Sequence, residues 1–219
     1  MAVAFFLKGL LIGFSIAAPV GPIGVLCIQR TLAHGRLIGF ASGLGAATAD
    51  AAYGCIAAFG LTLISNMLVE SQVWLRSIGG AFLLWLAWKS YTAIPADADA
   101  AGETAVERGA QVAGAFGSTL LLTLTNPATI LSFLAVFAGI MGGASMGSDG
   151  KTSAGYALAL IMVLGVFVGS ALWWFILSGV TGRYRERLQR RHLVWVNRGS
   201  GLIIGTFGLI ALGSLLLKA

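Results

Sequence analysis

Charge is what this 219-residue chain has least of: Asp, Glu, Lys and Arg make up 10% of it, against roughly 25% in a typical soluble domain. A soluble surface cannot be built from so few ions, and a hydrophobic share of 58% excludes disorder as well. Cysteine is nearly absent. Cys27 and Cys55 each sit alone in an apolar stretch, with no C-x-x-C and no neighbouring histidine, so they read as small core residues and not as a disulfide or metal pair. The two histidines, His34 and His192, fall in the loops between apolar stretches, which removes the usual intramembrane ligand or general base. No period-2 alternation suggests a barrel, no G-X-Y period suggests collagen, and no ATP-binding loop occurs. An intramembrane protease would need a serine with a histidine base or paired aspartates. Neither set is present, and the sequence leads us to expect no enzyme, no cofactor and no metal.

What is there is apolar sequence in blocks. A hydrocarbon core of about 30 Å calls for roughly 20 apolar residues per helical span, and six candidates run at about 4–28, 37–66, 73–92, 113–141, 154–181 and 199–217. An N-terminal signal peptide is not expected, because the first apolar stretch resumes after Pro22 and runs to Ile28, too long for an h-region. With no water in the bilayer to satisfy backbone groups, the spans must be helices.

An acidic, alanine-rich segment from Ile94 onward separates the third span from the fourth. It divides the chain into a first three-helix repeat (1–92), a cytoplasmic linker (93–112) and a second three-helix repeat (113–219). Landmarks recur in order across the divide. Pro22 answers to Pro127, Gly39-Phe40 to Gly155-Tyr156, and Trp74 to Gly80 lies over Trp195 to Gly201. An odd number of helices per repeat inverts the second relative to the first. The fold class expected is an all-α polytopic membrane protein of two inverted three-helix repeats, with helices 1 and 4 broken at proline.

The net charge of +6 does not point to nucleic acid. Six of the fourteen basic residues, Arg183, Arg185, Arg187, Arg190, Arg191 and Arg198, share one polar stretch between the last two spans. They mark the cytoplasmic side by the positive-inside rule, beside anionic membrane lipid. Arg30, Arg36, Lys89 and Arg108 fall on the same side, and both termini are therefore expected outside. Trp74, Trp85, Trp88 and Trp195 near span ends fit an interfacial belt.

Three places can carry chemistry. Pro19-Val20-Gly21-Pro22 puts two prolines inside the first span. Each lacks an N–H, so the carbonyls of Ser15 and Ala18 lose their partners. A kink would need only one proline; two prolines with flanking glycines favour a break in which Ser15, Ala18, Pro19, Gly21, Pro22 and Gly24 shape a polar site at membrane depth. Asn126-Pro127 interrupts the fourth span in the same way and frees the carbonyl of Thr123. Finally, Asp50 lies roughly 20 Å along the second span at 1.5 Å per residue, where an ionised carboxylate costs at least a few kcal/mol. Gly39, Gly43, Ala46, Gly54 and Ala57 share its helix face, so it looks toward other helices or a cavity. Asp50 is the candidate for proton coupling. Arg76 is an ion-pair partner to consider, but it lies only about one turn into the third span from the outer side, where snorkelling to the headgroups is the expected fate.

These residues resemble a known family. Gly13, the Pro19-Val20-Gly21-Pro22 cluster, Arg30, Gly35, Gly39, Gly43-Leu44-Gly45 and Asp50, followed by Thr125-Asn126-Pro127, resemble the lysine exporter and homoserine/threonine resistance (LysE/RhtB) translocators over essentially the whole chain. One departure is visible: Pro-Val-Gly-Pro stands where the family usually has Pro-Gly-Pro. The resemblance implies a secondary exporter of amino acids or close relatives, proton-driven, in the bacterial inner membrane. Alternating access would present the site to each side in turn. The partners expected are an amino-acid substrate, the proton and membrane lipid, with a homo-oligomer left open. Two other readings are a divalent-metal exporter, which would want clustered intramembrane carboxylates, histidines or cysteines, and a non-transport scaffold.

Overall fold

The computed structural model describes residues 1–19, 21–58, 71–93, 105–126, 129–130, 132–133, 153–185 and 190–216. Among them every regular element is an α-helix: α1 (Ala2–Ala17), α2 (Pro22–His34), α3 (Arg36–Ala58), α4 (Gln72–Thr92), α5 (Ala105–Leu124), α6 (Ser153–Arg185) and α7 (Arg190–Leu216). Gly155–Arg185 and Arg191–Leu215 are each long and apolar enough to cross a bilayer, and α1 with α2 forms a third candidate bent by 81°. The apolar stretches expected at 37–66 and 113–141 run on from α3 and α5 into residues outside the described set.

Three boundaries differ from the sequence expectation for one physical reason. Helix α5 is already formed at Ala105, inside the expected linker, while α6 is still helical at Arg185 and α7 is helical from Arg190, the first described residue after it. Ala, Glu, Arg, Gln and Leu are strong helix formers whether or not they are apolar, and hydropathy marks only the lipid-facing part of a helix. Both histidines are accordingly helical, His34 closing α2 and His192 lying in the first turns of α7.

The helices pack through glycine. A Cβ at Gly9 or Gly13 would collide with the carbonyl oxygens of Met162 and Val166, and one at Gly165 or Gly169 with those of Phe6 and Leu10. Two small-xxx-small faces thus meet reciprocally, α1 on α6, at backbone distance. Gly80 of α4 and Gly208 of α7 do the same on the other flank, where a Cβ at Gly208 would lie 3.1 Å from the Gly80 carbonyl oxygen. The principal pairings are α1 with α6, α3 with α5, α3 with α6 and α4 with α7. Exchange α1 for α5, α3 for α6 and α4 for α7, and this set of pairings maps onto itself.

Leu26, Cys27, Ala47, Leu86, Leu122 and Ile204 fill the centre of the packing, with both cysteines as free thiols. The outer surface is apolar too. Trp74, Trp88 and Trp195 are each more than 70% exposed, the arrangement of a protein whose solvent is lipid.

Candidate functional site

The first break forms as its prolines dictate. Ala18 N–H reaches the Phe14 carbonyl at 3.0 Å, and regular helix stops at Ala17, two residues before Pro19. Gly21 N–H turns back to the Pro19 carbonyl at 3.0 Å. Gly21 then caps α2 in an extended conformation, and Pro22 takes the first helical position, where its missing N–H costs nothing and its φ is already helical.

The second break is built differently. Helix α5 ends at Leu124, and a new turn starts at Asn126, whose carbonyl accepts the N–H groups of Thr129 (3.1 Å) and Ile130 (3.2 Å). Pro127 itself lies outside the described residues. The expectation of a free Thr123 carbonyl is corrected here: the Asn126 N–H takes it at 3.2 Å, a tightening to the three-residue spacing common at helix ends. The Leu124 carbonyl accepts the Tyr53 hydroxyl from α3 at 2.5 Å.

Both breaks border one cavity of about 520 Å³. Pro19, Gly21, Pro22 and Gly24 line it from the first, and Thr123, Thr125, Asn126 and Thr129 from the second. Ser15 and Ala18 do not line it, and Ser15 is exposed on the outside of α1. Freeing a carbonyl says nothing of the direction of the side chain above it, which is why the sequence grouped these two with the rest.

Asp50 and Arg76 supply the charge among the described lining residues. Asp50 is 3% exposed and accepts at 2.7 Å from the Ser170 hydroxyl, not from Arg76. Ser170 in turn accepts from Trp174 Nε1 at 3.2 Å. The small-residue stripe on α3 makes this approach possible: Gly43 meets the Trp174 side chain and Gly54 meets Val163 and Val166, so the Asp50 face lies against α6. Arg76 projects from α4 and donates to the Ser214 hydroxyl of α7 at 3.1 Å.

Several polar residues were missed by reading the sequence. Ser170 and Trp174 are four apart on α6, neighbours on a helix face, but a lone serine in an apolar span gives no signal of its own. Arg30 is the larger surprise. Taken from sequence as a cytoplasmic marker, it donates to Ser42 (2.9 Å), the Ala115 carbonyl (3.0 Å), Thr119 (3.0 Å) and Ser118 (2.8 Å), joining α2 to α3 and α5. Its neighbour Gln29 donates to Asn197 at 3.0 Å, and Asn197 to the Ala93 carbonyl at 3.2 Å.

One carboxylate, one guanidinium and a set of hydroxyls and amides around a roomy cavity make a binding chemistry. Among the described residues no cluster of three or more His, Cys, Asp or Glu could hold a metal ion.

The model of the LysE type translocator family matches residues 14–214. A Bacillus subtilis protein named for amino acid efflux, YcgF, is 27% identical over 215 residues, covering 93% of this chain and 92% of its own. The Escherichia coli membrane protein YahN is 30% identical over 187 residues, covering 83% and 77%. The Pseudomonas aeruginosa chemotactic transduction protein ChpE is 26% identical over 215 residues, covering 96% and 98%. No solved structure matches.

Proposed function

The chain belongs to the LysE type translocator family and is an integral membrane transporter, not an enzyme; from that premise we propose that it exports amino acids or closely related metabolites from the bacterial cytoplasm, driven by the proton gradient. The architecture we propose is six spans in two inverted three-helix repeats, 1–92 and 113–219, joined by a cytoplasmic linker at 93–112. The self-mapping set of helix pairings supports it, as do two interrupted helices bordering one cavity, the arrangement in which inverted-repeat transporters hold substrate.

The observation that carries the function is Asp50: buried, held by the Ser170 hydroxyl, and facing a cavity large enough for an amino acid. A carboxylate withdrawn from water is costly as an anion unless a cation or proton accompanies it. In our reading the proton and the substrate ammonium group take turns on Asp50. Substrate leaves outside, releasing the carboxylate to accept a proton there, and that proton leaves inside as the next substrate molecule binds from the cytoplasm. Rocking of the repeats about the breaks exposes the site to each side in turn.

Asp50→Asn keeps the shape and removes the titration. Reconstituted in proteoliposomes, it is expected to lose acceleration of export by a pH gradient, at least about tenfold for a single ionic contact. An undiminished response to the gradient in this variant would make Asp50 structural and refute the coupling. Orientation is tested separately. With Cys27 and Cys55 replaced by alanine, a cysteine at Asp99 or Gln189 is expected to resist a membrane-impermeant thiol reagent in whole cells, while one at Ser148 reacts. The opposite labelling pattern would turn the protein over.

A further inference from the structure

The cavity carries a second charge that proton coupling does not use. Arg76 lies on the face of α4 that also presents Gly79 and Gly80, three and four residues on, and all three line the cavity. A Cβ at Gly79 would come within 3.0 Å of the Thr125 carbonyl oxygen, so α4 is pressed against the second break and its guanidinium is delivered to the same space. Ser214, which accepts from Arg76 Nη1 at 3.1 Å, is also a lining residue. Asp50 comes from α3, has its own partner in Ser170 and does not bond Arg76. One negative and one positive group thus face a common cavity, each anchored by a serine on a different helix. Between them the described polar lining is neutral, with Thr123, Thr125, Asn126 and Thr129.

We propose that Arg76, positioned by Ser214, binds the α-carboxylate of the substrate, so that the cavity selects zwitterionic amino acids over amines and other singly charged molecules. The inference rests on the amino-acid reading above and adds to it the group that recognises the acid end. A guanidinium suits the role: it is planar, weakly hydrated, and matches a carboxylate with two parallel N–H donors. The orphan N–H groups at the start of α2 also border the cavity, but they offer about half a unit charge, against the full charge of Arg76. A zwitterion meets Asp50 with its ammonium group and Arg76 with its carboxylate, whereas an amine offers Arg76 no acceptor and an amide only a neutral carbonyl. Beyond the polar pair, Leu83, Trp174, Phe207 and Ile210 give the substrate side chain an apolar wall.

The test uses proteoliposome exchange of each of the twenty common amino acids, radiolabelled, in competition with its own carboxamide. In the wild-type protein the amide is expected to compete only at about tenfold or higher concentration, the size of one charge-assisted contact. In Arg76→Gln that gap is expected to close to within about threefold, because the variant no longer reads the carboxylate charge. Arg76→Lys keeps the charge without the planar fork, and an intermediate gap is expected. An amide that competes as well as its amino acid in the wild type overturns the proposal, whether or not any variant folds. So does a gap that stays full in Arg76→Gln. Wild-type protein that exchanges none of the twenty amino acids refutes the substrate reading itself, a different failure from exchange that ignores the carboxylate.

Discussion

Two ionisable side chains are held among these helices in opposite ways. Arg30 gives four hydrogen bonds, all to neutral acceptors, reaching α3 and α5 at once. Asp50 receives one, from Ser170, and borders a cavity. The hydroxyls around Arg30 are themselves tied to their own helices, Ser42 to the Ile38 carbonyl at 3.1 Å and Thr119 to the Ala115 carbonyl at 2.9 Å. A group with its bonding capacity spread over several elements has no second arrangement of comparable energy, and it fastens those elements together. A charged group with one partner and room beside it can exchange what it binds. Helix α2 connects the two situations, starting at the cavity with Pro22 and carrying Arg30 in its last turns.

The contrast is broken most directly at Arg30. Arg30→Gln removes the charge and cannot reach all four acceptors, and with charge-assisted bonds worth more than neutral ones the loss is about 3 kcal/mol. In a protein of this size that corresponds to a fall in Tm on the order of 10 °C. Asp50→Asn, by contrast, is expected to leave Tm within a few degrees or raise it, since the variant drops a buried acid and keeps an acceptor for Ser170. Heating detergent-solubilised variants and measuring the monodisperse fraction by size exclusion would decide. Equal stability of Arg30→Gln and wild type would show that Arg30 is not a fastening, and the difference between the two sites would have to be sought elsewhere.

How much of this could be read from the chain alone depends on whether a feature leaves a local mark. Pro19, Pro22 and Asp50 do, because a missing N–H and an intramembrane acid are expensive wherever they occur in an apolar span. The small-residue face that holds Asp50 against α6 was readable for the same reason, as periodicity. Ser170, Tyr53 and Ser214 leave none: a single hydroxyl in a helix can bond its own backbone, and only the packing reveals that Ser170 turns to Asp50 and Tyr53 to the Leu124 carbonyl. Arg30 gave no sign of its hydrogen bonds because charge near a span end already has an ordinary explanation in topology. Its position in sequence is unchanged by that reading, but the structure turns the side chain inward. The helix present at Ala105 and at Arg190 was hidden from hydropathy, which is blind to polar helix.

Removing one hydroxyl from each site separates the two further. Ser170→Ala takes away the donor that Asp50 has, and also the acceptor of Trp174 Nε1. Ser42→Ala takes away one of four acceptors of Arg30 and leaves Ala115, Ser118 and Thr119 in place. A hydrogen bond to a charged group is worth about 1.5–3 kcal/mol when nothing replaces it, and a neutral one near 1 kcal/mol or below. With redundancy counted, gradient-driven export is expected to fall roughly tenfold in Ser170→Ala and to stay within about twofold in Ser42→Ala. Measured in proteoliposomes at matched protein density, the two numbers ask whether satisfaction of Asp50 hangs on one contact. If both serines can be removed without effect, water in the cavity must replace the Ser170 hydroxyl, and Asp50 would be held by solvent. If Ser42→Ala is the more damaging of the two, Arg30 lies closer to the moving parts than its four hydrogen bonds imply, and the helices it fastens would be the ones that part.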